Sequence, residues 1–265
     1  MKTRPEIKAL AREAMRAQRG TAILLIFLLG LITAASMRLD TFIAADTGSQ
    51  GVVYWIVYAA RMAVTGLVMV NMTCEFIKIY KGEKASTSGI FTGFTVNFWH
   101  KLGGALLIML WVSLPLIVDT IFDLPPGLIL LLMMPVLVGL LAFYFTYSIL
   151  ADCPSVKAIQ ALKISIRITK GHRADVFVFC LSFMGWVLLF GLPGSILGVA
   201  ADSFMLGFYL TSVVWTLYLW PYFYTAFAGL YLELRDKALC DGVVTYEELG
   251  LPEPLPTIYE NIIIN

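Results

Sequence analysis

Residues Asp152–Trp186 read DCPSVKAIQALKISIRITKGHRADVFVFCLSFMGW, joining a basic, two-faced segment to a long apolar run through a single glycine, Gly171. On a helix of about 3.6 residues per turn, Gln160, Lys163, Arg167 and Lys170 fall in one narrow polar stripe. Val156, Ile159, Leu162 and Ile166, with Ala158, Ser165 and Thr169, make a broad apolar and small-residue surface. The pattern predicts an interfacial helix over 154–170. After Gly171 and the polar step His172–Asp175 the apolar run is long enough to enter a bilayer, so a helix lying in the interface leads into one that crosses it.

The rest of the chain repeats this plan, and composition agrees with it. With 59% hydrophobic and 14% charged residues and a mean hydropathy of +0.82, the chain is far from the soluble balance of about 25% charged. An all-α, polytopic membrane protein is expected. A length of 265 residues accommodates six spans with short connections and leaves no room for a separate catalytic domain.

In chain order, Met1–Arg19 carries Lys2, Arg4, Lys8, Arg12, Arg16 and Arg19 and is helical in spacing over 5–19, with Ile7, Leu10, Ala14 and Ala17 opposite the basic face. A first span follows over 21–37. A cleaved signal peptide, with Ala34, Ala35 and Ser36 at the cleavage point, would need an unusually long charged region, so an uncleaved first helix is preferred. Arg38–Gly51 reads as a polar link, and spans are expected at 52–77, 102–122, 126–150, 175–200 and 205–234, with Phe91–Lys101 along the surface. The transmembrane domain thus covers 1–235, and 236–265 is a tail with a capping-box spacing at Thr245 and Glu248 and prolines at 252, 254 and 256.

Charge sets the orientation. Six Lys/Arg residues lie in the N-terminal arm, four in Lys78–Lys101, five in Lys157–Arg173 and two, Arg235 and Lys237, after the last span, and all of these fall on one side. Of the nineteen in the chain only Arg38 and Arg61 remain, while the opposite turns hold Asp40, Asp46, Asp119, Asp123 and Asp202. The positive-inside rule then places both termini in the cytoplasm of a cell that bears the protein in its plasma membrane. Six spans satisfy that parity.

A shift of 151 residues lays Arg12, Arg16, Arg19 and Gly20 on Lys163, Arg167, Lys170 and Gly171, which suggests repeated units of an interfacial helix followed by a helical hairpin, three in all. Basic residues before inward-starting spans are common, but a shared helical phase is not required of them.

Ile149–Asp152, Lys170-Gly171-His172, Leu181–Trp186 (LSFMGW), Trp220-Pro221-Tyr222 and Tyr231 resemble a family of bacterial integral membrane proteins of unknown function, domain of unknown function 975. That family is distantly similar to the membrane domain of glycerophosphoryl diester phosphodiesterases. The resemblance covers most of the chain, is densest from about Phe145 to Leu232, and departs in the tail and in the turn before the sixth span. It implies a six-helix membrane protein, with roles in peptide export or in self-protection against antimicrobial peptides suggested for members. It transfers no catalytic residue.

The residues themselves offer few candidates for chemistry. The four cysteines, Cys74, Cys153, Cys180 and Cys240, have no ligand spacing with the two histidines, so neither metal nor disulfide is expected. No cofactor motif is visible. Arg61, inside the second span, has three open fates: snorkelling, an ion pair with Asp119 or Asp123, or a ligand site. Glu75 near the inner end of the same span is expected to be solvated, and Asp152 ahead of Pro154 to cap a helix. Pro115, Pro135, Pro193 and Pro221, with Gly191 and Gly194, mark hinges, kinks or close packing.

The basic faces, Lys8, Arg12, Arg16 and Arg19 and then Lys163, Arg167 and Lys170, are suited to anionic lipid headgroups. Nucleic acid is not an expected partner, since both faces back onto apolar surface. The tail is the segment suited to a protein partner. Two classes of function follow: a non-enzymatic membrane protein that works through lipid contact or a partner, accessory or protective in peptide export, or a transporter or channel component with a path lined by broken helices. A polar cavity at the bilayer midplane would favour the second. A lipid enzyme would need several acids or histidines in one cleft, for which His172, Arg173 and Asp175 are the adjacent set.

Overall fold

The computed structural model describes residues 2–47, 51–92, 94–95, 97–122, 124–200, 207 and 211–252, and among these there is no strand. Helix α1 (Arg4–Ala17) starts with Pro5 in its first turn and with the Glu6 carboxylate accepting from the Thr3 N–H at 2.7 Å. It ends at Gln18. Then come α2 (Arg19–Thr47), α3 (Val52–Lys81), the short α4 (Gly89–Thr92), α5 (Phe98–Phe122), α6 (Pro126–Phe143), α7 (Thr146–Asp152), α8 (Ala158–Thr169) and α9 (Arg173–Ala200). Residues 211–214 lead into a π-helical turn, Trp215–Leu219, continued by α10 (Trp220–Cys240) and, after a turn, α11 (Tyr246–Leu249).

Among the described residues, five stretches are long and apolar enough to cross a membrane: Arg19–Ile43, Val52–Lys81, Phe98–Asp119, Gly127–Asp152 and Arg173–Ala200. That is the architecture of a multi-pass membrane protein. The expected sixth span, 205–234, falls partly on residues 205–206 and 208–210, outside the described ones.

Several boundaries differ from expectation. The first crossing helix does not stop at Met37 but runs on to Thr47, because Arg38–Thr47 contains polar residues but no Gly or Pro, and polarity ends a hydrophobic segment without ending a helix. The fourth span is interrupted at Tyr144 and Phe145, between α6 and α7. Asp152 does not cap α8. It is the last residue of α7, and α8 starts only at Ala158 with Lys157 at its N-cap, whose side chain makes no cap bond. Pro115, Pro135 and Pro193 lie inside continuous α5, α6 and α9 and do not break them. Pro221 instead follows the π-helical turn, where the Trp220 N–H reaches back to the Trp215 carbonyl; the wider turn gives room where a proline ring would crowd the carbonyl four residues before it.

The two amphipathic helices bury faces that overlap only in part with those expected, keeping Ile7, Val156, Ser165 and Thr169. α1 buries Ile7, Ala11 and Met15 against α10 and α3, leaving Leu10 exposed. α8 buries Ala161, Ile164, Ser165, Ile168 and Thr169 against α5, α6, α7 and α10, while Ile159 is 61% exposed. Its small polar residues fit that contact, since Ser165 Oγ donates to the Ala142 carbonyl at 2.8 Å and Thr169 Oγ1 to the Ser165 carbonyl at 2.8 Å. α8 ends at Gly171, whose φ of +86° is a left-handed conformation that favours glycine. Gly20, its counterpart under the 151-residue shift, lies inside α2 with no such turn.

α1, α4 and α8 gather with the ends of α3, α7 and α10 and the starts of α5 and α9 into one rim, joined by the hydrogen bonds and ion pairs below. The core lies under it. It gathers Met72, Phe76 and Ile79 of α3, Phe145 just before α7, Ile149 of α7, Phe179 and Phe183 of α9, and Tyr222, Leu230 and Tyr231 of α10. Rings pack there, Phe223 tilted against Phe227 with centroids 4.3 Å apart and Phe179 edge-on to Phe227 at 5.1 Å.

Candidate functional site

The rim is where polar side chains concentrate, and four groups of them hold it together. In the first, the Asp152 side chain at the end of α7 is 6% exposed and accepts from Lys81 Nζ at 2.9 Å, from Arg235 Nη1 and from Tyr231 OH at 3.2 Å. Arg235 also holds Asp236. The adjacent Cys153 thiol is pushed up to about 12 by burial and then by the Asp152 charge, so it is not a reactive thiolate.

In the second, Glu75 is buried, not solvated. Its side chain is 1% exposed, paired with Lys78 at 2.7 Å, and accepts the Ser86 N–H at 2.8 Å. One turn earlier, Asn71 donates to the Ile90 carbonyl at 2.8 Å and accepts from Lys101 Nζ at 3.0 Å. These two residues of α3 therefore clamp the α3–α4 loop and the start of α5. Gly89 lies so close that a Cβ there would come within 2.1 Å of Glu75 Oε1.

The third group ties the N-terminal arm to α9 and α10. Arg4 meets Asp175 at 2.5 Å, Asp175 meets His172 Nδ1 at 3.2 Å, His172 Nε2 lies 3.0 Å from Lys237 Nζ, and Lys2 pairs with Glu233 at 2.7 Å. The Glu233 hydrogen bond raises the Lys2 amine above its ordinary value. Arg173 is exposed and joins none of these bonds. His172 and Asp175 are thus brought together, but as members of an interhelical network.

The fourth joins α8 to the chain after α10. Arg167 donates to the Val243 carbonyl at 3.3 Å and pairs with Glu248 at 3.0 Å, and Gln160 donates to the Glu248 carbonyl at 3.2 Å. The expected capping box is present, with Thr245 Oγ1 accepting the Glu248 N–H at 3.2 Å. The Glu248 carboxyl is held below its ordinary value by the Arg167 hydrogen bond and then by the Thr245 N–H. Pro254, Pro256 and the rest of the tail from residue 253 lie outside the described residues.

The basic residues expected at lipid headgroups therefore divide. Lys8 reaches Ser182 Oγ at 2.5 Å and sits 4.2 Å over the Phe183 ring, and burial lowers its amine pKa. Arg12 stands over Tyr222 at 5.7 Å. Arg167 is taken by α11. Arg16, Arg19, Lys163 and Lys170 are exposed. No sequence spacing distinguishes the two sets, because the partners of Arg167 and Lys8 lie 76 and 174 residues away and that of Arg12 farther still.

Among the other candidates, Arg61 packs its guanidinium 5.0 Å from the Tyr58 ring, while Asp123 lies outside the described residues. Gly194 permits a close approach: a Cβ there would lie 1.9 Å from Thr211 Oγ1 and 2.9 Å from the Gly207 carbonyl. Gly191 meets only Trp215, at 3.7 Å. A half-open cavity of about 200 Å³ lies between α3, α5, α6–α7 and α10, lined by aromatic and apolar groups together with Thr73, Tyr144, Tyr147, Ser148 and Tyr224, and among the described residues by no charged side chain. Among the described residues no three His, Cys, Asp or Glu side chains converge as metal ligands.

A family model described as a protein of unknown function (DUF975) matches residues 1–124 and 127–238. The chain belongs to that family. The match takes in Glu75, Asp152, Asp175 and Arg235 and stops short of Glu248, so three of the four polar groups of this DUF975 member lie wholly within it. No curated protein and no solved structure matches the chain.

Proposed function

We propose that the chain is a non-enzymatic protein of the cell membrane with six spans and both termini cytoplasmic, accessory or protective in peptide export, which acts by holding anionic lipid at its rim or by engaging a protein partner with its C-terminal segment. One observation carries this reading. The rim unites the N-terminal arm, the starts of α5 and α9 and the ends of α3, α7 and α10 through direct hydrogen bonds and ion pairs, and α10 reaches it from the far side only if the chain crosses once more after α9. Seventeen of the nineteen Lys and Arg residues belong to that side. The three hairpins α2–α3, α5–α6 and α9–α10 are each preceded by a rim helix, α1, α4 and α8, which supports the repeated plan.

A non-enzymatic role is favoured because the rim carboxylates Glu75, Asp152, Asp175, Glu233 and Glu248 are each engaged by a cation, which leaves none of them poised as a proton donor or acceptor. The uncharged lining of the cavity and the continuity of α5 and α9 through Pro115 and Pro193 count against a transport path.

The test is purification of the tagged full chain from its native membrane in mild detergent, with bound proteins and lipids identified by mass spectrometry. A stoichiometric export ATPase or permease establishes the accessory role, and enriched anionic lipid without protein establishes the lipid role. Bulk lipid composition with no partner overturns both.

A further inference from the structure

Outside the core, α8, the start of α5 and α11 surround an open cleft of about 520 Å³. Its charge is unbalanced. Arg167 and Glu248, both in its wall, satisfy each other at 3.0 Å, but Lys157 and Lys163 are exposed and meet no protein acceptor among the described residues. Two positive charges are therefore left to face the cleft.

Hydrogen-bond donors point the same way. The Lys157 side chain does not cap α8, and the first N–H of that helix to find a protein acceptor is that of Ala161, bonded to the Lys157 carbonyl at 2.8 Å. The N–H groups of Ala158, Ile159 and Gln160, at the positive end of the helix, are left for another acceptor. His100, also in the wall, has a buried Nδ1 with no partner. Such a group is costly unless something completes it.

The edge of the cleft is apolar and turned outward: Trp99 is 78% exposed and Ile159 61%. Trp99 stands in the first turn of a crossing helix, where an indole sits at the boundary of headgroups and hydrocarbon. A free anion has no use for that edge. A lipid has.

We propose that this cleft is a binding site for the phosphate headgroup of an anionic phospholipid, held by Lys157, Lys163 and the first N–H groups of α8, with its glycerol and upper acyl chains against Trp99 and Ile159. This rests on the lipid-contacting reading above and narrows it from basic surfaces to one site.

The test uses the purified full chain in neutral detergent, titrated with dioctanoyl phosphatidylglycerol, dioctanoyl phosphatidylcholine and inorganic phosphate, with native mass spectrometry counting bound molecules. Phosphatidylglycerol is expected to bind at least tenfold more tightly than either of the others. Lys157→Gln with Lys163→Gln should weaken it about thirtyfold, and Lys84→Gln, at an exposed rim lysine outside the cleft, should leave it unchanged. Trp99→Ala supplies a second, charge-neutral check and should weaken lipid binding without altering that of phosphate. If phosphatidylglycerol binding survives both cleft variants but is lost in Arg16→Gln with Arg19→Gln, the cleft is overturned and the wider lipid reading stands. If inorganic phosphate binds as tightly as the lipid, the lipid assignment falls. If the wild-type chain does not prefer phosphatidylglycerol to phosphatidylcholine, both fall.

Discussion

The two ends of α3 live in different solvents. Toward the rim, Val70, Met72, Phe76 and Ile79 are buried and Glu75 and Asn71 are fully bonded, whereas at the far end Val52, Val53 and Ile56 are exposed. The same division runs through the other crossing helices: Leu130 and Leu131 of α6 and Leu192 and Ile196 of α9 face outward. In lipid an exposed leucine is as well solvated as a buried one, so apolar area in the far half contributes little to holding helices together. Cohesion then depends on close packing and on polar contacts, and those are concentrated at the rim. The rim acts as the clasp of the bundle, and the far half as a set of lipid-solvated staves.

The largest test of that contrast is Asp152→Ala. It strips Lys81, Arg235 and Tyr231 of a shared acceptor whose side chain is 6% exposed, and removing one partner of a buried ion pair costs about 3 kcal/mol. Thermal unfolding in detergent should show it as the most destabilised single variant, with part of the loss recovered when Arg235→Met is added. A melting curve like that of the wild type would sink the clasp. Next is Gly89→Ala, whose Cβ would lie 2.1 Å from Glu75 Oε1; displacing that buried carboxylate should cost about 2 kcal/mol, read in the same assay.

The far half should respond less. Gly194→Ala meets Thr211 Oγ1 and the Gly207 carbonyl, and is expected to cost about 1 kcal/mol by loosening one helix contact. Leu130→Ala, at a side chain 69% exposed, should stay within about 0.5 kcal/mol of wild type. Were Leu130→Ala as harmful as Asp152→Ala, the two halves would not differ in kind and the comparison would be broken.

Much of the fold is legible in the residues themselves. The second, third and fifth spans fall within about four residues of α3, α5 and α9, because a hydrophobic run bounded by Gly, Pro or charge states its own length. α2 outruns its expected end because hydropathy marks where a segment turns polar, whereas a helix needs only the absence of a breaker. The faces of α1 and α8 were harder. An amphipathic pattern says that a helix has an apolar side, not whether protein or lipid will cover it, and the face with Ala161 and Ser165 is buried in place of Ile159 because those small side chains let α8 approach α6, where Ser165 donates to the Ala142 carbonyl. The site was least legible of all: Asp152 looks like a cap beside Pro154, and its partners Lys81, Tyr231 and Arg235 are 71 to 83 residues distant. What the residues state on their own is the positive sign of the rim and the local spacings of the Thr245–Glu248 capping box and the His172–Asp175 turn, since none of these depends on which distant side chain meets which.

The smallest effect sharpens the boundary of the clasp, because α11 lies at its outer edge. The Glu248 carboxyl is held below its ordinary value of 4.5 by the Arg167 hydrogen bond and then by the Thr245 N–H. Lowered in the folded state, it contributes stability that is fully present above the unfolded value and is lost as pH falls through the folded one. With side chains 40% and 37% exposed the pair is screened by solvent, so the contribution is below about 1 kcal/mol. Hydrogen exchange at residues 245–250 should accordingly be unchanged from pH 7 to about 5 and quicken, after correction for intrinsic rates, as pH drops below about 4. Arg167→Gln should bring the pH 7 exchange of that segment up to the low-pH level while leaving α3 and α7 protected. If exchange in α7 rose together with that of α11, the C-terminal segment would belong to the clasp itself, and the rim would be one cooperative unit from Lys2 to Glu248.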